Sequence, residues 1–211
     1  MNVQRLTLKD AAIGVAVADA PEALTTFLKP GCAAAIWRRR PDPDFQSWID
    51  GLLPEQLPRG RLILRPETVP QAIVELCKVT SMPLCKECGV FAEDVAAVAQ
   101  NFSDLLDVEY VRLRLDVVTT NACRKFHIDA VTARLVCTYR GSGTQYGIST
   151  NGNDPRRVFS VPTGSPILLR GTHWPDDPPS GLLHRSPPIE GTGESRLVLV
   201  LDPISNPEDE H

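Results

Sequence analysis

The sequence predicts an α+β fold, in which a mainly helical first half is followed by a β-rich second half. Two patterns of apolar residues support this division. Phe91, Val95, Val98 and Phe102 recur at spacings of three and four, which is typical of one face of a helix. Apolar and polar side chains alternate between positions 111 and 117, which is typical of a half-buried strand.

The first 108 residues are expected to hold most of the helices and a few strands. Pro21 favours a helix start, Pro30 a helix stop, and Asp44 can cap a second helix. Helices are predicted over residues 21–28, 44–53, 67–79 and 86–107, and strands over 11–17, 33–37 and 61–64.

The second half, residues 109–205, is expected to form an antiparallel barrel or jelly roll. Strands are predicted over residues 111–117, 131–139, 158–161, 167–170, 182–185 and 196–201. Clusters of Gly, Pro, Asn and Asp separate them, and short strands at such spacing are typical of these folds. Residues 1–211 are expected to form one domain that ends in a frayed tail at 206–211.

Composition limits the classes of function. The 22 basic and 26 acidic residues give a net charge of −4, so bulk nucleic-acid binding is not expected. No apolar run approaches the roughly 20 residues of a membrane helix, and we expect neither a signal peptide nor a membrane partner. Six scattered cysteines indicate reduced thiols in a cytoplasmic protein. Cys85 and Cys88 form only half of a typical zinc motif, so ordinary thiols are favoured there.

The strongest functional signal is the pair His127 and Asp129. Residues two apart in a strand face the same side, so this imidazole and carboxylate can bind one divalent metal ion. The remaining histidines are the candidates for a third ligand: His173, His184 and His211.

His184 is preferred because it lies on a separate predicted strand that can return past the first. Arg196 follows twelve residues later and opens the apolar run 197–201. Two histidines and one carboxylate leave three positions of an octahedral ion open, which is the arrangement of non-haem Fe(II) oxygenases.

These segments resemble the Fe(II)/2-oxoglutarate-dependent dioxygenases. The similar stretches are residues 134–146, 183–185 and 195–198. The whole chain also resembles a bacterial family known only as a domain of unknown function, which carries similar Cys-Arg-x-Phe-His-x-Asp and Thr-Tyr-Arg-Gly segments.

The resemblance implies that the jelly roll is a double-stranded β-helix with the helical N-terminal region packed on it. It further implies Fe(II) held by His127, Asp129 and His184, and 2-oxoglutarate whose far carboxylate binds Arg196. Arginine suits that carboxylate because its guanidinium is always charged and can bind in a bidentate manner.

Five other residues are candidates for supporting roles. Thr138 or Tyr139 can offer a hydroxyl to the same carboxylate, and the pattern does not decide which of them points inward. Gln145 lies where the dioxygenases line the substrate mouth. Cys123 or His173 can instead complete a zinc tetrahedron, and a thiolate favours Zn(II) and is readily oxidised.

Three hypotheses therefore stand. The first is an oxygenase that uses Fe(II) and 2-oxoglutarate to oxidise or hydroxylate an unknown small molecule or protein. The second is a non-catalytic Zn(II)-binding protein of the same jelly-roll fold. The third is an interaction domain without a metal, in which His127 and Asp129 are ordinary polar residues.

Overall fold

The computed structural model describes residues 12–150, 152–175, 178–206 and 208. The strands are β1 (Gly14–Ala18), β2 (Cys32–Trp37), β3 (Gly60–Leu64), β4 (Tyr110–Val118), β5 (Ala133–Arg140), β6 (Gln145–Ile148), β7 (Phe159–Ser160), β8 (Ile167–Arg170), β9 (Leu182–Arg185) and β10 (Arg196–Ile204). The α-helices are α1 (Pro43–Gly51), α2 (Val69–Val79) and α3 (Lys86–Leu106), and 3-10 helices span Pro21–Leu28, Pro54–Gln56 and Pro66–Thr68.

These strands form two sheets. The larger sheet has the order β1-β2-β8-β5-β10-β4-β3, and only its β1–β2 pair is parallel. The smaller sheet has the order β7-β6-β9 and is antiparallel. A single antiparallel bridge joins His127 to His184 of β9, so the His-x-Asp segment extends the smaller sheet.

Two apolar clusters lie on opposite faces of the larger sheet. Alternate residues of β4, β5 and β10 pack with α3 in the first cluster, which includes Phe91, Phe102, Leu113, Leu135 and Leu199. The second cluster fills the space between the sheets and includes Val136, Leu182, Val198 and Val200. The run 197–201 is apolar throughout because β10 is buried on both faces.

The larger sheet draws strands from both sides of the expected division near residue 108. Strands β1, β2 and β3 come from the first half of the chain, yet they extend both ends of the same sheet that holds the C-terminal strands. The first half of the chain therefore supplies strands of this sheet as well as helices. Backbone groups at the edges of β8 and β4 gain partners in this way, which is a common means of covering strand edges.

The predicted first strand and the predicted C-terminal tail extend beyond the residues that the structure describes. The predicted strand 11–17 is observed from residue 14 onward, and Ala11 lies outside the described residues. The same holds for most of the predicted tail, including His211. Among the helices that are described, none combines the length and the apolar character needed to cross a membrane.

Gly171 allows the loop after β8 to pack tightly against the segment that precedes β5. A Cβ atom at this position would lie 1.8 Å from the carbonyl oxygen of Val131 and 2.8 Å from that of Asp129. We expect Gly171→Ala to lower the free energy of unfolding by about 2–3 kcal/mol, because both obstacles are backbone atoms. Urea unfolding measures this loss.

The matched control is Gly89→Ala in α3. A Cβ atom there meets no atom within 4 Å, so the variant should gain up to about 1 kcal/mol from higher helix propensity. Equal stabilities of the two alanine variants would show that the loop around Gly171 relaxes freely.

Candidate metal centre

His184 converges with His127 and Asp129, from which it is distant in the sequence, between the two sheets. Each of His127, Asp129 and His184 offers one ligand atom, and these atoms lie within 4.8 Å of one another. His184 Nε2 is 3.0 Å from Asp129 Oδ2, His127 Nε2 is 3.4 Å from Asp129 Oδ1, and the imidazole centroids are 4.5 Å apart. Neighbouring ligands on an octahedral ion with bonds of ~2.1 Å lie about 3 Å apart, so the three groups can share one ion.

Backbone pairing brings these side chains together. His127 and His184 exchange two backbone N–H···O hydrogen bonds, each of 3.0 Å, which places their side chains next to each other. The carbonyl of Asp129 accepts a hydrogen bond of 2.9 Å from the N–H of Thr172. The His-x-Asp segment is therefore a short bridge followed by a loop, and the strand predicted from residue 131 begins at Ala133.

A hydrogen bond orients the imidazole of His127. Its Nδ1 lies 2.8 Å from the carbonyl oxygen of Lys125. A carbonyl oxygen only accepts, so Nδ1 carries a proton, and in the neutral imidazole the lone pair is on Nε2. That lone pair is on the side of Asp129, as a metal-binding histidine requires.

The carboxylate of Asp129 has one satisfied and one orphaned oxygen. Oδ1 accepts an ion-pair contact of 2.8 Å from Arg134, whereas the buried Oδ2 receives no well-aligned hydrogen bond. Burial by itself raises the pKa of Asp129, but the neighbouring His184, Arg134 and His127 outweigh it and lower this pKa to about 2. The carboxylate is therefore ionised at neutral pH, and a bound cation would satisfy its orphaned oxygen.

Arg134 fixes the position of the Asp129 carboxylate. Its Nε and Nη2 donate to Asp202 at 2.6 and 2.8 Å, while Nη1 contacts Asp129.

We expect Arg134→Met to lower the free energy of unfolding of the metal-free protein by about 3 kcal/mol, because two mostly buried carboxylates lose their counter-ion. Arg38→Met, which breaks an exposed pair with Asp19, should change this free energy far less. Similar losses in the two variants would mean that the Arg134 cluster is effectively solvated.

Arg196 is a buried cation at the end of the same cavity. Only 1% of it is exposed. Nε donates to the carbonyl of Ser142 at 2.6 Å, Nη1 to the hydroxyl of Ser186 and Nη2 to that of Thr138, both at 3.3 Å. Burial lowers the pKa of Arg196 to about 10, against the opposing effect of Glu194, so the side chain is charged at neutral pH. No carboxylate of the described residues forms an ion pair with it, and such a charge favours an anionic ligand.

The structure decides between Thr138 and Tyr139. Thr138 lies on the face of β5 that carries Val136 and contacts Arg196. Tyr139 lies on the opposite face, where its hydroxyl donates to Asp94 at 2.6 Å, and burial raises the pKa of the phenol well above its ordinary value. The expectation that Tyr139 can reach a carboxylate at Arg196 is therefore wrong, because the strand turns it towards the helices.

Three further candidates lie around the cavity or away from it. Cys123 is exposed and lines the cavity rim, but it is not part of the group of ligand atoms. His173 is exposed on the loop after β8 and does not line the cavity. Gln145 lies outside the lining as well, although its Oε1 accepts a hydrogen bond of 2.8 Å from Arg185, which does line it.

The cavity has a volume of about 600 Å³ including its opening to solvent. Val136, Val198 and Val200 form an apolar floor of the cavity. Sequence reasoning missed Arg114 and Asp116, which also line the cavity. Their signal is the alternation in β4, whose polar positions share one face, but that alternation does not say what the face covers.

The fold is that of known dioxygenases. The structure of dioxygenase for auxin oxidation 1 from Arabidopsis thaliana, a complex with 2-oxoglutarate, is similar with a TM-score of 0.53 and 9% identity over 93% of this chain and 94% of that chain. The rice dioxygenase for auxin oxidation is similar with a TM-score of 0.51 and 13% identity over 93% and 84% of the two chains.

No curated protein sequence matches the chain. Residues 18–202, by contrast, match a family described as "Protein of unknown function (DUF1826)". The resemblance to the dioxygenases is thus confirmed for the fold, and the resemblance to the family of unknown function is confirmed over most of the chain. Because the match spans most of its length, the chain belongs to this family.

Proposed function

We propose that this protein is a non-haem Fe(II)/2-oxoglutarate-dependent oxygenase that oxidises or hydroxylates its substrate. One observation carries the proposal. A cluster of two imidazoles and one carboxylate shares a cavity with Arg196, a buried guanidinium that has no carboxylate partner among the described residues.

His127, Asp129 and His184 would hold the metal ion. Neutral imidazole and carboxylate ligands suit Fe(II), and three protein ligands leave room for a bidentate co-substrate and O2. The poorly aligned contact at Oδ2 of Asp129 and the position of His127 Nε2 on the side of Asp129 support this assignment, because a cation would give both atoms a well-placed partner.

Arg196 would bind the far carboxylate of 2-oxoglutarate, with the hydroxyl of Thr138 beside it. The carbonyl of Ser142 holds Nε, so the two Nη groups, whose hydroxyl contacts are long, remain the donors for a ligand. A bidentate guanidinium–carboxylate pair in a buried position gives both affinity and orientation.

Other residues of the cavity would exclude water and hold the reacting groups in position. Val136, Val198 and Val200 exclude water from the floor, and Arg134 fixes the carboxylate of Asp129. When bound, Fe(II), 2-oxoglutarate and O2 together supply the oxidising chemistry, with release of CO2 and succinate.

The direct test is Fe(II)-dependent turnover of 2-oxoglutarate. Protein purified without oxygen is loaded with Fe(II), exposed to O2 and 2-oxoglutarate, and assayed for succinate, alone and with a broad panel of substrates. We expect succinate that depends on both the metal and O2. Iron-loaded protein that binds no 2-oxoglutarate in calorimetry and forms no succinate would rule out the proposal.

Cys123→Ala separates this proposal from a zinc site completed by a thiolate. Because Cys123 is exposed and outside the ligand group, we expect its loss to leave the metal content and the metal affinity of the purified protein unchanged. Elemental analysis after purification under reducing, oxygen-free conditions measures this. Retained zinc that disappears in Cys123→Ala would favour the non-catalytic zinc protein instead.

A further inference from the structure

The strand β4 presents charged side chains to the cavity. Its odd positions, such as Leu113 and Leu115, are buried against the helices, whereas Arg112, Arg114 and Asp116 lie on the opposite face. Arg114 pairs in register with Val200 of β10, which belongs to the cavity floor. The guanidinium of Arg114 therefore lies beside the floor of the candidate metal centre.

The smaller sheet leaves this side of the cavity open. None of the described residues of β3 or β4 belongs to the apolar cluster between the sheets. On β3, Arg61 and Ile63 are exposed. The side chain of Arg114 is 32% exposed and that of Asp116 45%. This uncovered face of β3 and β4 is a route by which a substrate can approach the metal ligands.

The cavity has a positive charge balance, although the whole chain has a net charge of −4. The charged groups that line it, leaving the histidines aside, are Arg114, Arg134, Arg185, Arg196, Asp116 and Asp129. A divalent metal ion would add two positive charges, and 2-oxoglutarate would remove two. The occupied site would therefore still carry an excess of positive charge, which favours an anionic substrate.

Three of the four arginines already have other roles. Arg134 pairs with Asp129 and Asp202, and Arg196 faces the proposed 2-oxoglutarate position. Arg185 donates to Gln145 and stacks on Phe126.

Arg114 is different. Its buried Nε lies 3.0 Å from Asp116 Oδ2, but this contact is too poorly aligned to be a hydrogen bond. Its cross-strand neighbour on β3 is another arginine, Arg61. Like charges directly opposite each other in a sheet destabilise it, and an anion between the two guanidinium groups would remove that cost.

Arg114 and the proposed 2-oxoglutarate site at Arg196 lie at different levels along β10. Arg196 and Val200 are four residues apart, which is about 13 Å in a strand. Arg114 lies at the level of Val200 and of Val136, which pairs with it on β5. Two cations at different levels can therefore bind two different anions.

We propose that the substrate of this site carries a carboxylate or phosphate group, which Arg114 and Arg61 bind on the open face of β3 and β4. That the bound anion is a substrate rests on the proposed oxygenase function, but the anion-binding site itself does not depend on that function. Arginine suits both anions, because its planar fork of donors matches either one in a bidentate manner.

The test measures the binding of simple anions by calorimetry at low and high salt. The probes are phenyl phosphate and phenylacetate, with benzyl alcohol as the neutral control. We expect the metal-free protein to bind at least one of the two anions and not the alcohol, with weaker binding in high salt. The two anions separate a phosphate from a carboxylate preference.

Variants locate the site. Arg114→Gln should weaken anion binding about tenfold, and Arg61→Gln less, because Arg61 is exposed. Arg114→Lys should fall between wild type and Arg114→Gln, since it keeps the charge and loses the fork. Arg38→Gln is the matched control. It removes the same charge near the opposite edge of the larger sheet and should have no effect.

Several results would overturn the inference. Wild-type affinity in both Arg114→Gln and Arg61→Gln would do so, as would anions that bind no better than benzyl alcohol. One-for-one competition between the anion and 2-oxoglutarate in the metal-loaded protein would place the anion at Arg196 instead. If only the proposed function were wrong, the result would be different. The wild-type protein would bind no metal or no 2-oxoglutarate, while the anion would still bind the metal-free protein at Arg114.

Discussion

Replacing Asp129 with alanine is expected to lower the affinity for Fe(II) by more than about 100-fold and to abolish 2-oxoglutarate turnover. Substitutions in the outer shell of a metal site already cost about 10–100-fold, and a direct ligand should contribute more. Asp129 is the only anion in the proposed ligand group, so its loss removes the charge that offsets desolvation of the ion. His184→Ala, which removes a buried imidazole, should have a similar effect.

The measurement is an oxygen-free Fe(II) titration, together with the metal content of the protein as purified. His173→Ala is the matched control, because it removes the same side chain from an exposed loop and should leave both quantities unchanged. Asp129→Asn preserves the size of the side chain and tests the charge alone. If Asp129→Ala and His184→Ala both retained wild-type metal content and metal-dependent stability, the interaction domain without a metal would become the better interpretation.

Replacing Arg196 with methionine is expected to weaken 2-oxoglutarate binding about 100-fold while Fe(II) affinity stays near that of the wild type. The guanidinium is buried and charged, and removing one partner of a buried charge pair costs about 2–5 kcal/mol. The selective loss follows from the geometry, because Arg196 contacts Ser142, Ser186 and Thr138 but none of the three proposed metal ligands.

Calorimetric titration of 2-oxoglutarate into Mn(II)-loaded protein measures this effect without turnover. Arg157→Met is a suitable control, because Arg157 stacks on Phe159 at 4.8 Å and does not line the cavity. Arg196→Lys keeps the charge but loses the second donor arm, so it should fall between methionine and wild type. Wild-type affinity in Arg196→Met, with metal still bound, would mean that 2-oxoglutarate does not bind at this position.

Local patterns were sufficient to predict several elements of the fold. The stripe of apolar residues predicted a helix over 86–107, and α3 spans Lys86–Leu106. The alternation around Leu113 predicted β4, although the observed strand starts at Tyr110 and ends at Val118. Both elements expose one face and bury the other, so the spacing of apolar residues along the sequence shows their periodicity.

The same reasoning could not orient the side chains of β5. This strand packs against the helices on one face and against the smaller sheet on the other, so apolar residues occur at both odd and even positions. Thr138 and Tyr139 are therefore equivalent in the sequence, and only the observed packing turns one towards Arg196 and the other towards Asp94.

The residue types and spacings pointed to His127, Asp129 and His184, because a divalent ion restricts the side chains that can bind it, and the resemblance to the dioxygenases added Arg196 as the partner of a dicarboxylate. Pairing between distant strands decided the rest. It joined β3 to β4, set Arg61 opposite Arg114, and turned Tyr139 away from the cavity. Such pairing depends on contacts between residues far apart in the chain, and the local order of residues carries no record of those contacts.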